Sequence, residues 1–275
     1  MDEIEFLEEK QRRGSEIDLL RRIAEAVAND DGLPLSEAVT GFLALVGRNY
    51  LPGRELMVVG RATNGGWAGK WPLPELQKQQ FIDCVLHKSV DPSPSGQLCP
   101  MRWVTDQWGL QKASRVWKEN DWDNDPYSTA RSAFWGAIRE LVSRLGIADV
   151  EQDSWPSHLV WSNLYKIGPA GGGNPSSRLC SLQHEACAHL LTVEIETYRP
   201  KRIVFLTGRD WLEGFLPTIS AYAERYRYDS GLVEAKGVFA LPSQEIQVVV
   251  AKHPQGKKRA DWVGSVLEAF GRSPS

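Results

Sequence analysis

The sequence predicts a single α/β domain built on a doubly wound, mostly parallel sheet flanked by helices. Three observations lead there. Four short apolar runs recur along the chain, each ending at a glycine or a polar residue: Glu55–Gly60, His158–Asn163, Arg202–Gly208 and Ile246–Lys252. None alternates polar and apolar residues, so each is expected to be buried on both faces, as strands of a parallel sheet are. A long helical stretch, about Leu179 to Tyr198 and closed by Pro200, joins the second run to the third. Strand, helix and strand in that order form the unit from which parallel sheets are wound.

The remaining elements follow in chain order. Residues 2–30 place Ile4, Leu7, Ile17, Leu20, Ile23 and Val27 at helical spacing, with a break predicted near Gly14-Ser15. Ser36 to Val46 is read as another helix, so residues 1–50 form an N-terminal helical extension. After the first apolar run comes a Trp-rich insertion, residues 67–125, rich also in Pro, Asp and Ser. A helix is expected within it from Pro74 to Lys88, with loops around Asp91–Cys99 and a further helix from about Tyr127 to Leu145. Gly271–Ser275 is expected to fray.

Composition narrows the function classes. The chain has 275 residues, 42% hydrophobic and 24% charged, which is ordinary for a globular protein, and it is read as one domain over 1–275. No apolar run is long enough to span a bilayer and the N-terminus is acidic, so no membrane association is expected. Cys84, Cys99, Cys180 and Cys187 form no CxxC pair, which suits free thiols in the cytoplasm. A net charge of −3 means that any nucleic-acid contact must come from a local basic patch. Eleven tryptophans are the one departure from the norm.

In open α/β sheets, ligands bind beyond the carboxyl ends of the strands. That rule selects Gly60–Trp67, Asn163–Lys166, Gly208–Asp210 and Lys252–Arg259. The first loop carries three glycines and Asn64, so its backbone can approach a ligand closely. It has neither the Gly-Lys-Ser/Thr ending of a phosphate-binding loop nor a GxGxxG spacing. The last loop sets His253-Pro254 before Lys257, Lys258 and Arg259, a polar donor beside a candidate phosphate patch. Arg199-Pro-Lys-Arg202 precedes a strand and belongs to the opposite edge. Cys180, His184 and Cys187 share one helix face at metal-ligand spacing, but no fourth ligand accompanies them and no metal or other cofactor is expected.

The ordered set Leu159-Val-Trp-Ser-Asn-Leu-Tyr-Lys-Ile-Gly-Pro169, Asn174-Pro175, Glu185, Cys187, Leu190, Arg199-Pro-Lys-Arg-Ile-Val-Phe-Leu-Thr-Gly208 and His253-Pro254 resembles the uracil-DNA glycosylase superfamily. The resemblance spans about residues 55 to 260. It implies a monomeric, monofunctional DNA glycosylase whose partner is DNA. It also implies roles: Asn163 hydrogen-bonds a flipped base, Trp67 stacks on it beside Thr63, and His253 stabilises the departing base. Lys166, Lys257, Lys258 and Arg259 are the expected DNA contacts.

The first motif departs from the family's Gly-x-Asp-Pro, Gly-x-Asn-Pro and Gly-Glu-x-Pro forms, so the usual water-activating carboxylate is missing. Asn64, or else Thr63, is the substitute expected to orient water, with Asp210 and Asp123 as remoter carboxylates. Gln255 stands where a serine is usual, and Ile167 where the iron–sulfur branch has cysteine, so no cluster is expected. Trp67, Trp71, Trp103, Trp108, Trp117, Trp122 and Trp135 lie in or beside the insertion. A satellite core accounts for most of them, yet such faces also suit bases and sugars. Phage-defence glycosylases acting on glucosylated hydroxymethylcytosine are the precedent within the resemblance. The competing readings are a catalytically silent sensor of modified bases or abasic sites, an ordinary uracil-repair glycosylase, and a nucleotide- or sugar-nucleotide-binding enzyme on a generic doubly wound fold.

Overall fold

A computed structural model describes residues 3–34, 36–90, 100–108, 128–219, 223–228 and 231–271. The chain opens with helices α1 (Glu3–Arg12) and α2 (Gly14–Ala28), broken at Arg13 as the sequence predicts. On α2 the buried Ile17, Leu20, Ile23, Ala24 and Val27 recur at helical spacing and face the core. Buried Arg13 donates to the carboxylate of Glu16, to Ser89 Oγ (2.6 Å) and to Ala44 O (3.1 Å). Glu16 also accepts from the Tyr198 hydroxyl (2.5 Å), which ties α2 to a helix far along the sequence.

Residues 36–46 do not form the expected helix. They give two short strands, β1 (Ala38–Gly41) and β2 (Leu45–Val46). Val39 through Leu45 are all buried, so the segment has no polar face to turn outward and runs through the core as extended chain. The residues at its start, Val39 and Thr40, are β-branched and favour that conformation.

Then come β3 (Leu56–Gly60), β4 (Trp71–Pro72), α3 (Gln79–Val90), α4 (Arg102–Asp106), α5 (Ala133–Leu145), β5 (Leu159–Asn163), β6 (Ile167–Pro169) and α6 (Ser177–Tyr198). The chain continues with β7 (Arg202–Phe205), α7 (Arg209–Leu212), α8 (Leu216–Ile219), β8 (Ala223–Tyr228), β9 (Val233–Leu241), β10 (Gln244–Ala251) and α9 (Arg259–Ala269). The described part of the 67–125 insertion holds β4, α3 and α4. Its expected loops at 91–99, with Cys99, and its segment 109–125, with Trp117, Trp122 and Asp123, lie outside the described residues, as does the tail 272–275.

The seven-stranded sheet has the order β2-β5-β3-β7-β10-β9-β8. Its centre, β5-β3-β7-β10, is parallel, and these are the four strands expected from the apolar runs. The edges β2, β9 and β8 pair antiparallel. Along β3, Met57 and Val59 face one layer of the core while Leu56 and Val58 face the other. The same split divides Ile203 and Phe205 from Val204 on β7. Each such side chain contributes about 1.5–3 kcal/mol by leaving water. Helices α2, α3 and α6 cover the first layer, and α5 and α9 the second, giving a helix–sheet–helix sandwich.

Local signals end the main helices. Ser132 and Ser176 cap α5 and α6 by accepting from Trp135 N and Leu179 N. Helix α5 stops at Gly146 in the left-handed conformation (φ 66°), and α6 at Arg199 (φ 43°), immediately before Pro200. A smaller sheet, β4-β1-β6, pins the loop after β3 to the loop after β5. No helix among the described residues is long and apolar enough to cross a membrane.

Candidate active site

From β3 the chain crosses to β5 on one side, then returns to β7 on the other. The order therefore reverses over β3 and β7, and the crevice above that reversal is where open sheets place ligands. Around it stand Gly60–Thr63, Asn163, Thr207–Gly208 and Lys252–His253, at the carboxyl ends of the four central strands.

Asn163 ends β5 directly beside Gly60, its parallel partner on β3. The residue is 2% exposed, and its Nδ2 has no hydrogen-bond partner among the described residues. Leaving a buried amide donor unmade costs about 1–3 kcal/mol, so this group needs an acceptor at the strand end, from water or from a ligand. Gly60 makes room for it: a Cβ there would overlap Asn163 Oδ1. From below, the Asn163 carbonyl accepts from Lys166 Nζ at 2.8 Å.

His253 follows β10 and is half-buried. Its Nδ1 accepts from Gln255 N (3.2 Å), so the neutral ring carries its proton on Nε2 and presents a donor there. Burial lowers the imidazole pKa below its ordinary value, and the nearby positive charge of Arg61 lowers it further. A neutral donor can stabilise a forming anion without first having to ionise.

Phe134 lies between the end of β3 and His253. Its ring stacks on His253 (6.4 Å between centroids, 29° between planes) and lies near Trp161 (6.4 Å), with an edge carbon 3.8 Å from where a Gly60 Cβ would be. The sequence places position 134 on a helix but offers no signal that it reaches the crevice. Trp67, the expected stacking residue, packs edge-on against Trp161 (5.5 Å) and Trp103 (5.2 Å). With Phe42 and Trp135 these rings form one aromatic cluster beneath the crevice. The indole N–H groups of Trp67, Trp103 and Trp161 and the hydroxyl of Thr63, all buried, have no partner among the described residues. Trp161, on β5 rather than in the insertion, escaped the sequence reading of the tryptophans.

The other expected site residues scatter. Asn64 is exposed, and its Oδ1 accepts from Gly173 N (2.8 Å), tying the first loop to the loop after β6. What remains for water is its amide donor, which can orient a water molecule but cannot take its proton. Lys166 is a correction: expected at a phosphate, it is wholly buried. Its ammonium donates to Glu194 Oε1 (2.7 Å), Ser162 Oγ (2.8 Å) and Asn163 O (2.8 Å), which uses all three donors. It supports Asn163 from behind and cannot touch DNA.

Lys257, Lys258 and Arg259 are exposed at the start of α9 on the carboxyl edge, and Lys258 lies 3.6 Å from Asp261. Arg199, Lys201 and Arg202 sit at the opposite edge, where Arg202 is largely buried and its guanidinium lies over the Phe270 ring. Asp210 is exposed in the first turn of α7. A second carboxylate at this edge is Glu234 on β9, whose Oε2 accepts from Arg209 N (2.7 Å). Cys180, His184 and Cys187 each have other partners: Pro175 O, Gly214 O and Gln183 Oε1. Burial pushes the Cys187 thiol up to about 12.

Compared with known proteins, the chain matches no protein-family model, and no curated protein is significantly similar to it.

Proposed function

We propose that this protein is a DNA glycosylase that extrudes a modified base into the crevice over β3 and β7. The observation carrying this reading is the buried amide of Asn163, without a partner among the described residues, set beside Gly60 at the edge where Phe134 stacks on His253. A base edge in the crevice would give Asn163 Nδ2 its acceptor, while Phe134 offers a ring face. The C1′–N bond then breaks, and the base leaves as an anion held by His253 Nε2–H. Water adds to C1′, and the proton it releases neutralises the base. Asn64 orients that water through its amide. The protein acts as a monomer in the cytoplasm, where Cys84, Cys180 and Cys187 remain thiols.

The indole donors of Trp67, Trp103 and Trp161 favour a base with an acceptor-rich substituent. A sugar-modified pyrimidine of phage DNA, such as glucosylated hydroxymethylcytosine, has hydroxyl oxygens suited to them, so the reading extends to antiviral defence. The test is incubation with matched duplexes bearing uracil, hydroxymethylcytosine or its glucosylated form, scoring free base by mass spectrometry. Release from the glucosylated duplex above the others supports the reading. Release of uracil alone returns the protein to ordinary uracil repair. Binding without release of any base favours the silent sensor, for which the lack of any carboxylate in Gly60–Trp67 is the specific support.

A further inference from the structure

Arg61 is one residue beyond β3, at the carboxyl edge of the sheet, and takes no part in the proposed reaction. Its Nε donates to Thr207 O (2.9 Å), and its guanidinium lies over the Trp211 ring at 5.0 Å. One edge and one face of the fork are thereby fixed. Among the described residues, the two terminal nitrogens have no hydrogen-bond partner, and no carboxylate lies within ion-pair distance of them. Asp210 and Glu234 act on Arg61 only through space, and Glu234 is already held by Arg209 N and faces Lys252 at 3.8 Å. Gly208 stands beside the fork with a φ of 78° that favours glycine, and a Cβ there would lie 3.3 Å from Glu234 Oε2 and in ordinary contact, at 3.9 Å, with Arg61 Nη2.

A partly buried, preoriented guanidinium with two parallel free N–H groups matches the paired oxygens of a phosphate. We propose that Arg61 clamps a phosphodiester of the bound strand next to the extruded nucleotide, receiving its two non-bridging oxygens on Nη1 and Nη2. This rests on the reading of DNA as the ligand. It separates labour within the crevice: Arg61 fixes the backbone, and Asn163 and His253 handle the base. Because the clamp is rooted on the strand end next to Asn163, it sets the register of the strand on the pocket, which the exposed Lys257–Arg259 patch does not.

The experiment measures binding of the full chain to a duplex carrying a tetrahydrofuran abasic analogue, by fluorescence anisotropy over a salt series. Arg61→Gln is expected to bind about tenfold more weakly at low salt, with a log–log salt slope shallower by about 0.9. Arg61→Lys keeps the charge and is expected to retain the slope while binding less tightly than wild type. A single methylphosphonate next to the abasic position should weaken wild type by the same factor and Arg61→Gln no further. Unchanged slope in Arg61→Gln, or additive weakening with methylphosphonate at every linkage, overturns the clamp while leaving the DNA reading standing. If wild type shows no salt-dependent DNA binding, the DNA reading fails and the clamp with it.

Discussion

Replacing Lys166 with methionine tests the link between the core and the proposed base pocket. Both Lys166 and Glu194 have fully buried side chains, and Ser162 Oγ donates to the second Glu194 oxygen at 2.6 Å. Methionine fills the space of the lysine stem but leaves the Glu194 carboxylate buried with only a hydroxyl to balance it. Removing one partner of such a pair costs about 3–5 kcal/mol. For a domain of this size the change lowers Tm on the order of 10 °C. Lys166→Met with Glu194→Leu removes both charges and should recover most of that stability, because a dry apolar pair replaces the ions with little penalty. Activity should not recover, since the Asn163 backbone carbonyl no longer has its 2.8 Å donor and the residue proposed to bind the base is left without support. Thermal denaturation followed by tryptophan fluorescence, with single-turnover base release, reads both quantities. A Lys166→Met variant as stable as wild type would refute the buried pair, and a fully active double variant would refute its positioning role.

Other outcomes follow from the site. His253→Ala should lower the rate of base release by about 10²–10³-fold, and Asn163→Ala should lower it as strongly, both with Tm within a few degrees of wild type; retained activity in both would break the assigned geometry. Gly60→Ala drives a methyl against Asn163 Oδ1 and should mimic Asn163→Ala in activity while changing stability little. Protonating His253 would put a hydrogen on the Nδ1 that accepts from Gln255 N and so unseat the ring in the proposed reaction, and its pKa lies below the ordinary value of about 6.5. The rate should therefore stay level as pH falls through 6.5 and drop only below it, and Arg61→Gln should move that acid limb upward; a limb at or above 6.5 in wild type contradicts the argument. Neutralising Lys257, Lys258 and Arg259 should flatten the salt dependence of DNA binding by about 0.9 for each phosphate no longer neutralised, whereas neutralising Arg199 and Lys201 should not; equal effects would move the binding face to the other edge.

The central strands were legible because a strand buried on both faces needs an unbroken apolar run, and four such runs stand out. Their carboxyl ends then located Asn163 and His253 without any coordinates. The same reasoning failed at residues 36–46, where a buried segment of either kind carries no polar face to betray its period. The antiparallel pair β8 and β9 went unread, although Val233 and Ala235 alternate with Glu234 and Lys236. At the site, a lysine just past a strand end looks like a surface cation. Lys166 meets its partner 28 residues later on α6, a pairing that exists only once the helix folds back on the sheet. Phe134, Trp161 and Arg61 were missed for the same reason, since each gains its role from neighbours distant in sequence.

The bond from Tyr198 to Glu16 has a consequence for how the chain can be shortened. Helix α2 is a wall of the same core that α6 closes, and its buried Arg13–Glu16 pair is shared property of both. Cutting before residue 13 would spare that wall. Cutting between Arg13 and Glu16 would take Arg13 from the buried Glu16, and cutting α2 away would strip α6 of its apolar cover and take Glu16 from the Tyr198 hydroxyl. The N-terminal segment is thus no detachable module, and a minimal version of this scaffold begins no later than Arg13.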